Sequence, residues 1–203
     1  MTHSLSAAPA RMVLDSYEEA ARTNGPRERR FRIEHAITIA AQDVERFGKL
    51  GVIASMQPDF CCFNDAAGGT RTNVWQTYLR TGATLAFGSD WPCTFPPDPF
   101  GGIQQSVMRA QRQLFSAPNP TASVRLVTQD ERLTVEQSVD AYTRGSAYAR
   151  FSENVIGTLE VGKEADLAVL TQDIFSVHTE EIGNTQVVLT IVGGKVVFDT
   201  RKQ

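Results

Sequence analysis

Histidine and cysteine are scarce in this chain. Its 203 residues hold three of each. No His-x-His, His-Glu-x-x-His or Cys-x-x-Cys pair occurs, so the common local metal signatures are missing. Cys61 and Cys62 are neighbours and Cys93 stands apart, which argues against a thiolate zinc site and for reduced thiols, buried or half-buried. Long apolar runs are missing too: no stretch approaches the roughly 20 residues of a membrane span. The first residues show no basic segment followed by an apolar one, so no secretory leader is read. The expectation is a cytoplasmic protein without a membrane partner. Excess positive charge is also absent. The net charge is -3 and the pI about 5.6, which excludes a general nucleic-acid footprint. The one basic run, Arg27, Arg29, Arg30 and Arg32, reads as a solvated loop before a strand.

What remains is ordinary globular material, with 41% hydrophobic and 21% charged residues. The length suits one domain with a small appendage. It falls short of a complete (β/α)₈ barrel, which needs about 250 residues.

The pattern alternates. A helix is predicted over 10–22, stopped by Asn24-Gly25-Pro26. A short strand, Phe31 to His35, follows, with Phe31, Ile33 and His35 on one face. A helix over 41–50 ends at Gly51, and the apolar run Gly51 to Gln57, bounded by Pro58, reads as a buried parallel strand. A loop fills 58–69 and a helix 73–80. A strand over 83–90 runs into a Pro-rich loop. Helices over 102–115 and 134–149 flank a polar insertion at 116–132, the second opening on a Thr134/Gln137 capping box. Strand–helix alternation of this kind predicts βαβ units and a parallel sheet over 1–152. From 153 to 203 the character changes to turns and strands. Val187 to Val192, Gly193-Gly194 and Lys195 to Phe198 form a strong hairpin signal.

In parallel α/β folds the C-terminal strand ends carry active sites. His35 and Asp90 each end an apolar strand, and His3 lies just before the first helix, where a preceding strand would end. Two imidazoles and a carboxylate with open positions suit a catalytic divalent metal. The plainer alternatives are a structural strand-end histidine, an aspartate capping a turn, and a frayed terminal His3.

Three strings add to this: Arg32-Ile33-Glu34-His35-Ala36, Gly88-Ser89-Asp90-Trp91-Pro92, and Gly157 to Leu167 with its Ala165-Asp166-Leu167 core. In this order they resemble the amidohydrolase superfamily, most closely its type-3 branch, from about His3 to Phe198. The resemblance implies an α/β fold: the C-terminal half of a TIM-like (β/α) barrel plus part of a small β-sandwich domain. It implies a hydrolase acting on non-peptide carbon–nitrogen bonds, with one or two divalent metals, usually zinc, and a metal-bound water as nucleophile. By resemblance His3 and His35 match the ligands of barrel strands five and six. Asp90 matches the strand-eight residue that both binds metal and acts as general base. Glu34 points away and is structural; Trp91 and Asp98 line the following loop.

Two departures stand out. The family follows its strand-five histidine with Ala-Ile-Gly-Asp, where Ser4-Leu5-Ser6-Ala7 stands here. The His-x-His pair of strand one and the strand-four ligand have no counterpart. The chain therefore reads as a fragment of such an enzyme, and three expectations compete. It is an inactive remnant, or a small-molecule hydrolase completed by a homodimer or a complementing chain, or a non-enzymatic interaction module.

Overall fold

The computed structural model describes residues 1–61, 69–92, 97–109 and 129–202. Most of the polar insertion (116–128), the end of the helix predicted over 102–115 and parts of the loops after 61 and 92 therefore lie outside the described residues, with Cys62 and Cys93 among them.

Four strands form a parallel sheet in the order β1 (Thr2–Ser4), β2 (Arg32–His35), β4 (Ile53–Met56), β6 (Leu85–Phe87). Each crossover carries a helix: α1 (Ala7–Thr23), α2 (Val44–Leu50) and α3 (Trp75–Arg80). The helix boundaries follow the residues. Helix α1 ends where Asn24 caps Ala20 O through its backbone N–H, and its side chain donates to the same carbonyl. Helix α2 ends where Gly51 adopts φ 62°, a left-handed turn that favours glycine.

Burial on the helix-facing side explains why the sheet holds. Ile33, Ala54, Met56, Leu85 and Phe87 pack against Leu14, Phe47, Trp75 and Tyr78 in one cluster of buried side chains. Each large member contributes about 1.5–3 kcal/mol of transfer free energy. The opposite face is more polar at β2 and β4. There Glu34 accepts from Arg32 Nε at 2.6 Å and from Ser55 Oγ at 2.5 Å.

A small antiparallel pair, β3 (Thr38–Ala40) with β5 (Thr70–Thr72), was not expected from the sequence. Helix α4 (Pro99–Met108) begins earlier than predicted, with Asp98 Oδ1 accepting from Gly101 N at 2.9 Å. The predicted helix over 134–149 is present, and both halves of the Thr134/Gln137 capping box form. It is not uniform: α5 (Val135–Asp140) passes through a π-helical turn, Ala141–Gly145, into α6 (Ser146–Ala149). That turn lies against β6, where Ser146 Oγ donates to Phe87 O at 2.8 Å.

The C-terminal strands β7 (Leu167–Leu170), β8 (Val187–Val192) and β9 (Lys195–Asp199) form an antiparallel sheet, with Gly193-Gly194 as its turn. Two features join this part to the rest. Ile103 of α4 is buried with Ile174 and Ile182. At the base of the parallel sheet, Arg30 makes a bidentate pair with Glu153 at 2.6 and 2.8 Å. Its guanidinium lies over Tyr148 and Phe151 at 3.8 and 4.2 Å.

The expectation for the cysteines is corrected at one position. Cys61 is disulfide-bonded, to a partner outside the described residues. Spacing along the chain could not reveal this, because pairing depends on which loops the fold brings together. No helix among the described residues is long and apolar enough to cross a membrane.

Candidate metal centre at the strand ends

His3 sits in β1 and His35 closes the neighbouring β2. The register pairs His3 with Glu34 and Ser4 with His35. Cross-strand partners share a face, so strict alternation would put the two histidines on opposite sides of the sheet. Alternation breaks at His35. Its backbone is left-handed, with φ 73°, followed by Ala36 at φ 45°. The turn is held by Ala36 N donating to Ser4 O at 3.1 Å. As a result the imidazoles meet edge to face, with centroids 4.5 Å apart.

The two rings differ in their surroundings. His3 is exposed. His35 is buried, 6% exposed. Its Nδ1 lies 2.7 Å from Gln57 Oε1, and Phe60 faces the ring at 5.9 Å. Gln57 and Phe60, just beyond β4, were not singled out from the sequence. A polar Gln57 ending an apolar strand ahead of Pro58 was the available signal.

Asp90 stands apart. It follows β6, half-buried and left-handed at φ 58°. Strand β4 lies between β2 and β6, so about 10 Å of sheet separates their axes. Among the described residues Asp90 makes no side-chain hydrogen bond or ion pair, and no three His, Cys, Asp or Glu side chains converge. The structure thus brings His3 and His35 together and leaves Asp90 on its own strand end. The adjacent turn is made by Ser89, whose Oγ accepts from Trp91 N at 3.3 Å. Trp91 is largely exposed.

Beside β6, Tyr142 packs edge-on against Phe87 at 5.5 Å. Burial pushes its hydroxyl pKa up, and the carboxylates of Asp59 and Asp98 push it further. Its hydroxyl occupies the space a Cβ on Gly102 would need, so a side chain there would displace Tyr142.

The histidine pair fits a divalent metal in donor type. Nδ1 of His35 faces the Gln57 carboxamide oxygen, which can only accept, so with the proton on Nδ1 the ring would keep the Nε2 lone pair for a metal. That is the arrangement of metal-binding histidines, whose second nitrogen is tied to an acceptor.

Comparison with known proteins identifies the family. Residues 2–198 match the profile of the amidohydrolase family. The chain belongs to that family. It is 34% identical over 197 residues to Protein LONG AFTER FAR-RED 3 of Arabidopsis thaliana, covering 92% of this chain and 32% of that one. It is 26% identical to the N-substituted formamide deformylase of Arthrobacter pascens, covering 97% and 36%. An uncharacterized metal-dependent hydrolase from Pyrococcus furiosus superposes with a TM-score of 0.60 at 27% identity, over 80% of this chain and 31% of that one. The amidohydrolase chain thus spans about a third of the length of these relatives.

Proposed function

We propose that this amidohydrolase chain carries part of the active site of a metal-dependent hydrolase of non-peptide carbon–nitrogen bonds, of the amide or N-acyl type. The observation that carries the reading is the histidine pair: two imidazoles 4.5 Å apart on adjacent parallel strand ends, one tied through Nδ1 to Gln57. His3 and His35 are the residues that would hold the metal, zinc by preference for imidazole donors. When bound, a divalent metal would polarise a substrate carbonyl and make water acidic enough to attack at neutral pH. Asp90 is the general base in this reading, taking the proton from the attacking water and passing it to the leaving nitrogen. The formamide deformylase relative suggests N-substituted formamides as the first substrates to try.

The four parallel strands are read as half of a (β/α)₈ barrel, and 153–203 as strands of a small β-sandwich domain. In that reading the remaining barrel strands would cover the edges of this sheet. Support comes from the arrangement itself: β1 and β6 are edge strands, and parallel edges of this kind are normally covered. A non-catalytic interaction module is the second reading. It draws on the exposed apolar residues Val196 and Val197 of β9.

A panel of N-substituted formamides and N-acyl amines, assayed for amine release with and without zinc, tests the proposal. The expected result is metal-dependent turnover, lost in Asp90→Asn while the circular dichroism spectrum is unchanged. Full turnover by Asp90→Asn, or by metal-stripped protein, would overturn the assigned roles. Zinc binding without turnover on any amide would favour the interaction module.

A further inference from the structure

The surroundings of His35 assign a task to a residue outside the ligand set. Gln57 is 8% exposed and lies directly after β4. Its carboxamide oxygen is 2.7 Å from His35 Nδ1. Neutral imidazole chooses between two tautomers, and in water the histidine side chain favours the proton on Nε2. A carboxamide that turns its oxygen to Nδ1, as Gln57 does, reverses that choice. The ring has little room to escape this partner. Phe60 faces it at 5.9 Å, and the His3 ring meets it edge to face. The left-handed backbone at His35 and Ala36 is an uncommon conformation for non-glycine residues. It persists where surrounding contacts over-determine it. Gln57 is one of those contacts, since it grips the ring that the turn presents.

We infer that Gln57 is a positioning residue: it holds His35 in the Nδ1–H tautomer, with Nε2 unprotonated and available at the strand mouth. The inference rests on the proposed metal-binding role of His35 for its purpose. Its physical content, a tautomer set by a carboxamide, is separate and can be measured without any metal.

The test uses the full chain, metal-free, labelled with ¹⁵N-histidine. Two-bond ¹H–¹⁵N correlation at a pH where the ring is neutral distinguishes the tautomers, and His35→Asn assigns the signals. The wild-type spectrum should show His35 protonated at Nδ1. Gln57→Leu, which removes the acceptor, should shift His35 toward the Nε2–H form. Gln57→Glu restores an acceptor and should keep Nδ1 protonated. A purely space-filling role for Gln57 would leave all three patterns alike. Zinc titration of the same proteins is the second readout. Loss of an orienting partner typically weakens metal binding about 10–100-fold, so Gln57→Leu should bind zinc weaker by that factor and Gln57→Glu should recover most of it.

A wild-type His35 in the Nε2–H form overturns the inference, and that spectrum decides even if a variant fails to fold. An unchanged tautomer in folded Gln57→Leu overturns it as well. A Gln57-dependent tautomer in a chain that binds no zinc supports the positioning and removes the metal reading instead, so the two failures are distinguishable.

Discussion

The two sheets of this molecule treat their apolar residues in opposite ways. In the parallel sheet, Ile33, Ile53, Ala54, Met56 and Leu85 are all at most a few per cent exposed. In the antiparallel sheet, Val169, Val192, Val196 and Val197 stand about half open to solvent. The first sheet is closed over by its own crossover helices; the second is tied to the rest mainly at its approach, through Ile174 and Ile182. Stability therefore resides in the parallel unit, and the antiparallel face is where a partner would gain buried apolar area. A βαβ sequence brings the helix that buries each strand, whereas a hairpin brings only another strand.

The largest expected effect breaks the parallel unit. Trp75 is fully buried at the start of α3, edge-on to Phe87 at 6.0 Å and beneath the buried Arg109 guanidinium at 5.3 Å. Trp75→Ala should cost about 3–5 kcal/mol in chemical denaturation. A loss under about 1 kcal/mol would mean that this packing does not organise the core.

A smaller effect is expected at the join between sheet base and C-terminal segment. Arg30→Ala removes the bidentate pair to Glu153 and the stack on Tyr148 and Phe151 together, and should lower the melting temperature. Arg30→Lys should recover only part of the loss, because an ammonium cannot form the planar fork. Equal melting temperatures for Lys and Arg would show that charge alone matters there.

The same join has a pH signature. Hydrogen bonding from Arg30, then from backbone, holds the Glu153 carboxyl down at about 2, against 4.5 ordinarily. A carboxyl with a depressed folded-state pKa stabilises fully above its unfolded value, and that contribution fades as pH falls toward 2. Glu153→Gln should therefore be less stable than wild type near neutrality, with the gap narrowing between about pH 4.5 and 2. A gap that stays constant across that window would contradict the account. Asp199, held at about 2 chiefly by Arg201, titrates in the same range, so the comparison with the variant is what isolates Glu153.

The smallest effect sharpens the contrast from the other side. Val197, 61% exposed on β9, can become Thr at a cost within about 0.5 kcal/mol. A loss near that of a core substitution would show that the exposed face is buried in solution, by a second copy or another chain.

Much of this architecture was legible in the sequence because its signals are local. The Thr134/Gln137 capping box, the Gly193-Gly194 turn and the glycine stop at Gly51 each act within a few residues, and each forms as expected. His3 and His35 were both read as strand-end residues, yet the route by which their rings meet was not legible. Alternation grouped His35 with Phe31 and Ile33 and gave no hint that a left-handed turn would swing its ring to meet His3. Gln57 as the partner of His35 depends on the β2–β4 register, and the β3–β5 pair depends on chain return across thirty residues or so. The π-helical turn at Ala141–Gly145 has no periodicity of its own to read.

His3 and His35 are proposed to form one metal-binding unit. Isothermal titration of the metal-free chain with zinc, in parallel with His3→Ala and His35→Ala, tests it directly. The claim predicts a single zinc site in the wild type, weakened at least about tenfold by either substitution alone. Zinc binding of full strength in both variants would contradict it.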